Sequence, residues 1–146
     1  MRNLNIMVVD DSKAIRLLLQ DQLEEWGYKT AAFDSGDKAI EALQQERFNV
    51  VITDLNMPGQ INGIRLLEII KQNHPDIDVI IVTGYASVEN TINALRQGAT
   101  DYFTKPFNFE QVLICLERIE QKQEMASTLK HTDRNKEKGL HQMEEI

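Results

Sequence analysis

Two adjacent carboxylates, Asp10 and Asp11, directly follow the apolar run "IMVV". Carboxylates side by side repel each other, and burial favours their neutral forms, so the pair needs a positive charge nearby. A third carboxylate, Asp54, follows the run "VVIT". Thr83 follows the run "VIIV", and Lys105 follows "DYFT". These positions are the candidates for a site in which carboxylates, a hydroxyl and an amine act together.

The side chains at these positions suit a hard cation and a phosphoryl group. Oxygen ligands favour Mg²⁺, which keeps several waters and needs only one or two carboxylates plus phosphate oxygens. The ends of these runs carry no His or Cys, which argues against zinc. A metal, an ammonium and a hydroxyl around a carboxylate can stabilise a transferring phosphoryl group, and the carboxylate can act as nucleophile. The set therefore favours phosphoryl transfer.

Strict alternation of strand-like and helix-like segments predicts how these residues are positioned. Strands are predicted at Leu4–Val9, Lys29–Phe33, Val50–Thr53, Val79–Val82 and Asp101–Thr104. Helices are predicted near residues 13–26, 36–46, 63–73, 88–97 and 108–124. Three of the strands are apolar on both faces, as parallel strands covered by helices on both sides should be. The pattern predicts an open parallel α/β sheet, in which the strand ends share one edge and ligands bind there.

Composition limits the other possibilities. The chain has 146 residues, 42% of them hydrophobic, and a net charge of −7. These values suit one domain with a short extension and argue against direct binding to nucleic acid or anionic membranes. The single cysteine, Cys115, excludes an internal disulfide framework, and no apolar run approaches the roughly 20 residues of a membrane span. Because "MRNLN" leads straight into a strand-like run, we expect no signal peptide and a cytoplasmic protein.

Four sequence pieces resemble the receiver domain of two-component response regulators. They are "VVDDS", "VITDLNMPG", "VTGYAS" and "DYFTKPF", in this order and at four successive strand ends. The phrases "TGYAS" and "ALRQGATDYFTKPF" are most similar to receivers of the nitrogen-regulation type. The resemblance implies a flavodoxin-like doubly wound (βα)5 sheet with strand order 2-1-3-4-5. The resemblance covers about residues 4–121. Because the composition changes beyond about residue 121, we predict a receiver domain at 1–121 and a helical extension of the fifth helix with a linker at 122–146.

The resemblance also implies roles for the candidate site residues. Asp54 is the phosphoacceptor, whose donor is the phosphohistidine of a sensor histidine kinase. Asp11 binds Mg²⁺ directly, Asp10 mainly through water, and Asn56 through its backbone carbonyl. Lys105 pairs with a phosphoryl oxygen, and a cis bond before Pro106 would direct the lysine inward. For the three aspartates and the lysine, the alternatives from the residues alone are helix capping, a turn, or a solvated surface position.

Two further residues are expected to change position when Asp54 is phosphorylated. Thr83 would donate its hydroxyl to the new phosphoryl group, and Tyr102 would move inward as Thr83 shifts. Because side chains alternate along a strand, Phe103 is expected in the core and Tyr102 on the face of Thr104. A static half-buried ring is the alternative for Tyr102. In this interpretation phosphorylation is a local charge event that biases a surface with two states.

The fourth helix, fifth strand and fifth helix form the expected output face. Apolar Val88, Ile92 and Leu95 share one stripe of the fourth helix, which we expect to anchor it thinly on the domain so that it can shift. The segment "VLICL" in the fifth helix is apolar around more than one stripe. It either belongs to a core helix with one exposed residue or packs also on a second chain. We expect a homodimer through this face, with help from the extended fifth helix.

Two departures from the family pattern stand near the acceptor. The loop "MPGQING" is one residue longer than the commoner "MPGxxG", which can reshape kinase docking without removing a ligand. Tyr85 stands two residues after Thr83, where a large ring can block the hydrolytic water. We therefore expect slow self-dephosphorylation.

Two alternative functions stay open. A Mg²⁺-dependent phosphatase of the haloacid dehalogenase type also uses an aspartyl nucleophile at a strand end. Such enzymes usually place a second Asp two residues later, where this chain has Asn56. The other alternative is a receiver-like interaction module that is never phosphorylated, although every side chain that phosphorylation needs is present. A receiver catalyses only its own modification, so we expect no enzyme with an external substrate.

Overall fold

The computed structural model describes residues 3–57, 59–84 and 87–144, with side chains described as far as residue 126. Strands and helices alternate along these residues. The strands are β1 (Asn5–Val9), β2 (Lys29–Phe33), β3 (Val50–Thr53), β4 (Asp78–Thr83) and β5 (Asp101–Thr104). The helices are α1 (Lys13–Glu25), α2 (Gly36–Gln45), α3 (Gly63–Asn73), α4 (Val88–Arg96) and α5 (Phe109–Glu144).

The five strands form one parallel sheet with the order β2-β1-β3-β4-β5. Val9 at the end of β1 pairs with Phe33 of β2 and Thr53 of β3, and Thr83 of β4 pairs with Thr104 of β5. This order confirms the flavodoxin-like sheet, and the predicted strand bounds agree within one residue. The carboxyl ends of β1, β3, β4 and β5 therefore lie along one edge.

The central strands are the buried ones. Every residue of β3 and β4 is buried, as is β1 from Ile6 onward. Because successive side chains point to opposite faces, Met7 and Val9 share one face and Ile6 and Val8 the other. The first face packs in an apolar cluster whose buried members are Met7, Val9, Ala39, Leu43, Phe48, Val51, Leu55, Met57, Leu66, Leu67, Ile70, Ile77, Val79, Ile81 and Ala94. Helix α1 packs on β1 and β2 and buries Leu19 and Leu23.

Local signals in the sequence account for the helix ends. Ser12 caps α1 through its side-chain oxygen, which accepts a hydrogen bond from the backbone N–H of Ile15. Gly27 and Gly98 follow α1 and α4 with φ of 89° and 102°, a backbone conformation that favours glycine. Asn108 stands before α5 and its side chain accepts from the N–H of Glu110. The predicted caps therefore place the helix ends correctly.

The expected orientation of α4 is wrong. Val88, Ile92 and Leu95 are 77%, 44% and 49% exposed. Ala94 is instead buried, and Ala99, just beyond the helix, packs against the apolar cluster. Periodicity shows which residues share a helix face, but the small side chains decide here which face meets the sheet. The apolar stripe of α4 is therefore a solvent-facing surface.

Phe103 also differs from expectation. It is half-buried rather than part of the core, and no residue of β5 is fully buried. The reason is the position of β5, which is an edge strand of the sheet. Tyr102, on the opposite face of the strand, is the residue of β5 that packs against the apolar cluster.

Helix α5 runs to Glu144, past the helix end predicted near 124 and through most of the predicted helical extension at 122–146. Residues 125–144 contain no proline and many good helix formers, so propensity alone allows this continuation. The chain divides into two compact units, 1–112 and 113–146. The predicted boundary between a receiver at 1–121 and an extension at 122–146 stays a prediction. Among the helices described, none has the length and apolar character needed to cross a membrane.

Candidate functional site

Three carboxylates meet at the carboxyl edge of the sheet. Asp10 and Asp11 follow β1, and Asp54 follows β3, its backbone N–H donating to the carbonyl of Val9 at 3.0 Å. One carboxylate oxygen from each aspartate lies within 4.8 Å of the other two. Asp10 and Asp54 are buried, whereas Asp11 is exposed. Parallel pairing of neighbouring strands thus brings together acids that are far apart in sequence.

Lys105 reaches the same point from β5. Its Nζ donates to Oδ2 of Asp10 at 2.7 Å and to Oδ2 of Asp54 at 2.9 Å. Its backbone N–H donates to the carbonyl of Thr83 at 2.9 Å, which ties the ends of β4 and β5 together. The bond between Lys105 and Pro106 is cis. One ammonium therefore bonds two buried carboxylates.

The charges of this cluster shift two pKa values. Burial raises the pKa of Asp10 above its ordinary value of 3.8, although the hydrogen bonds from Lys105 and Ser12 oppose the rise. Burial alone would lower the pKa of Lys105, but the hydrogen bonds and charges of Asp10 and Asp54 together outweigh it and raise that pKa above 10.5. The ammonium is compensated by its two partners, while the negative charge of Asp10 is disfavoured mainly by burial. Because three carboxylates face one ammonium, a further cation beside them would offset the remaining negative charge.

The carboxylates are held from several directions. Oδ1 of Asp10 accepts from the backbone N–H of Ser12 at 2.8 Å, and the N–H of Asp10 donates to the carbonyl of Phe33 at 3.1 Å. Oδ1 of Asp54 accepts from the N–H of Asn56 at 3.2 Å. Asn56 itself is exposed. Two of the three acids are thus held by hydrogen bonds to the backbone.

The donor set fits a magnesium ion. The cluster offers carboxylate oxygens only, and Mg²⁺ prefers such hard ligands. The carbonyl of Asn56 is the fourth predicted ligand. Asp10, Asp11, Asp54 and Asn56 would hold the ion.

Thr83 and Tyr102 lie on the same face of neighbouring strands. Ile81 pairs with Tyr102, and Thr83 pairs with Thr104. Because every second side chain of a strand points to the same face, the side chains of Thr83 and Tyr102 lie on one side of the sheet. Thr83 is fully buried. The hydroxyl oxygen of Tyr102 is buried and has no hydrogen-bond partner among the described residues. The ring therefore lies inward in this structure, and its predicted movement stays a prediction.

The long loop after Asp54 is anchored at its far end. Gly59 and Gln60 are exposed, while Ile61 packs against the apolar cluster. A Cβ at Gly36 would lie 2.6 Å from the carbonyl oxygen of Ile61, so α2 begins with a glycine that makes room for the loop. The three predicted carboxylate ligands lie together in the cluster, while the role of the Asn56 carbonyl stays a prediction. Tyr85, and with it the expected block of hydrolysis, lies outside the described residues.

The sequence interpretation missed three residues that support the site. Gly63 begins α3 against the backbone of Asp54, where a Cβ would overlap the carbonyl oxygen of Asp54 and lie 2.6 Å from Cα of Leu55. A glycine at a helix start, where a better helix former is possible, was the available signal. Thr53 donates its hydroxyl to the carbonyl of Asp54 at 3.0 Å. Arg16 donates from Nη1 to the carbonyl of Asp10 at 2.6 Å. A positive charge near the N-terminus of a helix is unfavourable, so the place of Arg16 in α1 was the available signal.

Comparison with known proteins agrees with this geometry. The sequence profile of the response regulator receiver domain matches residues 6–117. Transcriptional regulatory protein ZraR of Escherichia coli (strain K12) is 40% identical over 116 residues, which are 80% of this chain and 26% of that protein. DNA-binding transcriptional regulator NtrC of the same strain is 37% identical over 113 residues, which are 77% of this chain and 24% of that protein. The chain thus spans about a quarter of the length of these curated relatives.

Solved structures show the same fold. A response regulator receiver domain protein from Clostridium thermocellum matches with a TM-score of 0.79 and 28% identity, over 85% of this chain and 99% of that one. NtrX from Brucella abortus, crystallised with ADP, matches with a TM-score of 0.81 and 28% identity, over 88% of this chain and 30% of that one. The chain therefore belongs to the response regulator receiver domain family, and within it to receivers of the nitrogen-regulation type.

Proposed function

We propose that Asp54 accepts a phosphoryl group from the phosphohistidine of a sensor histidine kinase in a Mg²⁺-dependent reaction. The observation that carries this proposal is the contact of Lys105 with both Asp10 and Asp54, in a cluster whose three acids lie within 4.8 Å of one another. A structural salt bridge would need one acid for one lysine. Three acids around one ammonium leave a deficit of positive charge that a dication offsets.

The reaction follows from the position of Asp54. One of its carboxylate oxygens forms a bond to phosphorus while the bond between phosphorus and the imidazole nitrogen breaks, and the electron pair of that bond returns to the ring nitrogen. The product is an acyl phosphate on Asp54. When bound, Mg²⁺ would supply the charge that stabilises the phosphoryl oxygens during transfer. Lys105 would exchange its contact with Asp54 for a phosphoryl oxygen.

Thr83 and Tyr102 would then transmit the change. Thr83 is buried at the end of β4, beside the strand that carries Lys105, and its hydroxyl would turn toward the new phosphoryl group. Tyr102 lies on the same face, so a shift of Thr83 changes the space around its ring. The buried hydroxyl of Tyr102 without a described partner marks it as a group with a better alternative position.

The output surface on α4 would bind a second copy of this chain. The exposed Val88, Ile92 and Leu95 form an apolar stripe, and Glu89 and Arg96 flank it, both exposed. Two copies of α4 packed antiparallel about a two-fold axis would place Glu89 of each copy against Arg96 of the other. The family resemblance predicts that β5 and α5 complete the face, and Ile114 of α5 is 51% exposed.

The decisive experiment is incubation with Mg²⁺ and a small phosphodonor such as acetyl phosphate, followed by intact-mass measurement. A receiver gains one acid-stable, base-labile phosphoryl group, and Asp54→Asn removes it. Asp76→Asn is the matched control, because Asp76 is exposed and lies before β4, at the opposite edge of the sheet. Repeated release of phosphate would instead support a phosphatase, and neither result would support a module that is never phosphorylated. The expectations of a cytoplasmic protein that binds no nucleic acid and no membrane stay predictions.

A further inference from the structure

Arg16 contacts the backbone of the acidic cluster rather than its carboxylates. The residue is the fourth of α1 and is half-buried. Its Nη1 donates to the carbonyl oxygen of Asp10 at 2.6 Å, a short bond assisted by the charge of the guanidinium. Lys105, by comparison, bonds the side chains of Asp10 and Asp54. The two cations therefore act on the same strand end in different ways.

The carbonyl of Asp10 belongs to the peptide unit that leads to Asp11. Because a peptide unit is planar, a bond that holds this carbonyl also holds the plane from which Cα of Asp11 projects. Within the described part of the chain, no residue gives the Asp11 carboxylate a hydrogen bond, so the backbone sets its direction. Among the three acids, Asp11 thus depends most on the contact that Arg16 makes.

We propose that Arg16 is a positioning residue of the phosphorylation site: by holding the carbonyl of Asp10 it directs Asp11 toward Asp10 and Asp54 and sets the geometry in which these acids bind a divalent cation. The inference rests on the proposed function, since it concerns the same site. Arg16 does not touch the reacting atoms and acts through the β1–α1 turn.

A purely electrostatic role for Arg16 predicts the opposite result from a positioning role. The guanidinium carries a positive charge close to the end of β2 as well, where the pKa of Asp34 is lowered first by its hydrogen bond from Lys38 and also by the charge of Arg16. If only this charge mattered, its removal would strengthen the binding of a dication. If the bond to the Asp10 carbonyl matters, removal of the guanidinium weakens the binding. The sign of the change in affinity therefore separates the two roles.

The experiment measures Mg²⁺ affinity by calorimetric titration, and thermal unfolding in EDTA, for the wild type, Arg16→Gln and Arg16→Lys. Partners that orient metal ligands typically contribute about 10- to 100-fold to affinity, so we expect a loss of about tenfold for Arg16→Gln. Arg16→Lys keeps the charge but offers a single donor atom on a differently shaped side chain, and an intermediate loss is expected. Lys13→Gln is the matched control: it removes an exposed positive charge from the same helix start and should leave the affinity unchanged or slightly higher.

Several outcomes decide the matter. A folded Arg16→Gln chain that binds Mg²⁺ as tightly as the wild type, or more tightly, overturns the inference, even when its thermal midpoint in EDTA is lowered. If Arg16→Gln does not fold, Arg16→Lys decides alone, with wild-type affinity overturning the inference and weakened affinity supporting it. A wild-type chain that binds no Mg²⁺ would contradict the proposed function itself. Equal binding of Mg²⁺ by the wild type and by Arg16→Gln would overturn only the role proposed for Arg16.

Discussion

Nζ of Lys105 lies 2.7 Å from Oδ2 of Asp10, a residue 95 positions earlier in the chain. The same nitrogen lies 2.9 Å from Oδ2 of Asp54, and Asp11 completes the cluster without contact to the lysine among the described bonds. Three carboxylates and one ammonium sum to two negative charges when all are ionised. One dication would balance this charge. The geometry of Lys105 therefore links the binding of a metal ion to the chemistry at Asp54.

Replacing Lys105 by Met should change metal binding and phosphorylation in opposite directions. Loss of the ammonium removes a repulsion from the bound cation and frees one oxygen each of Asp10 and Asp54, so Mg²⁺ affinity should rise. Loss of the group that contacts the transferring phosphoryl oxygens should slow phosphorylation by about a hundredfold. Calorimetry and the initial rate with acetyl phosphate measure the two effects. Lys29→Met is the control, because it removes an exposed lysine paired with Glu46, and it should change neither the Mg²⁺ affinity nor the phosphorylation rate. If Lys105→Met lowered both the affinity and the rate, the role proposed for Lys105 would be contradicted.

The raised pKa of Asp10 predicts a pH-dependent cost to stability in the absence of metal. Folding favours the neutral form of Asp10, because its pKa lies above the ordinary value of 3.8 in the folded chain. The contribution of Asp10 is therefore fully present below 3.8 and is lost as the pH rises through the folded pKa. In EDTA, the free energy of unfolding of Asp10→Asn minus that of the wild type should increase with pH across this window and then level off. Urea unfolding at a series of pH values measures the difference.

The control for this pH dependence has the opposite sign. The pKa of Asp34 is lowered, first by its hydrogen bond from Lys38, so Asp34 contributes stability above 3.8 and loses it as the pH falls through the folded pKa. The difference between Asp34→Asn and the wild type should therefore decrease as the pH rises, and stay small because Asp34 is at the surface. A flat difference for Asp10→Asn across the window would show that the folded chain does not favour its neutral form.

Much of the fold follows from the alternation of segments. Parallel strands need crossover connections, and the helical patterns between the apolar runs supply them. Once the strands are parallel, Asp10, Asp54 and Lys105 must end on one edge, which is why the candidate site could be predicted from strand ends. The order of the strands in the sheet came from family resemblance, because alternation alone permits several orders. The sequence pattern thus predicted which edge of the sheet carries the candidate site, but not which strands are neighbours in the sheet.

Other features depend on contacts that a single sequence does not show. The stripe of Val88, Ile92 and Leu95 predicted a shared face, but its direction depends on how closely α4 can approach β5, and Ala94 permits the closer packing. The bond from Arg16 goes to a backbone carbonyl, and any residue can supply that acceptor. The role of Gly63 depends on an overlap with the backbone of Asp54. Such close approaches between segments have no periodic signature.

Gly63 should be irreplaceable for both stability and phosphorylation. Alanine has the higher helix propensity by about 1 kcal/mol, which alone would favour Gly63→Ala. The added Cβ, however, would overlap the carbonyl of Asp54, and overpacking of this kind typically costs about 1–3 kcal/mol. We expect Gly63→Ala to lower the free energy of unfolding and to slow phosphorylation, since it must displace the backbone of Asp54.

Gly84→Ala is the control beside the same site. Its Cβ would meet nothing within 4 Å, so the free energy of unfolding should change by no more than about 0.5 kcal/mol. If the two substitutions changed the free energy of unfolding equally, the overlap with the backbone of Asp54 could not be the cause.

The exposed stripe of α4 should contribute little to stability. A core isoleucine or leucine replaced by alanine typically costs about 2–5 kcal/mol, and that loss is expected for Ile70→Ala in α3, where Ile70 is fully buried. Ile92 is 44% exposed, so Ile92→Ala should cost less than about 1 kcal/mol. Chemical denaturation of the dilute chain measures both changes. If Ile92→Ala lowered the free energy of unfolding as much as Ile70→Ala, the result would support the sequence-based expectation that this stripe anchors α4 on the domain.

The same stripe should hold two copies of the chain together. In an antiparallel two-fold packing of α4, Glu89 of each copy faces Arg96 of the other, so one change of sign creates two repulsive pairs at once. Glu89→Arg alone and Arg96→Glu alone should therefore weaken the dimer, while the chain carrying both changes should restore it, because each pair is then reversed but complementary. Sedimentation equilibrium, with and without a beryllofluoride mimic of the phosphoryl group, measures the association. A double variant as weak as the single ones would exclude this geometry, and a wild type that is monomeric under every condition would exclude a dimer on α4 altogether.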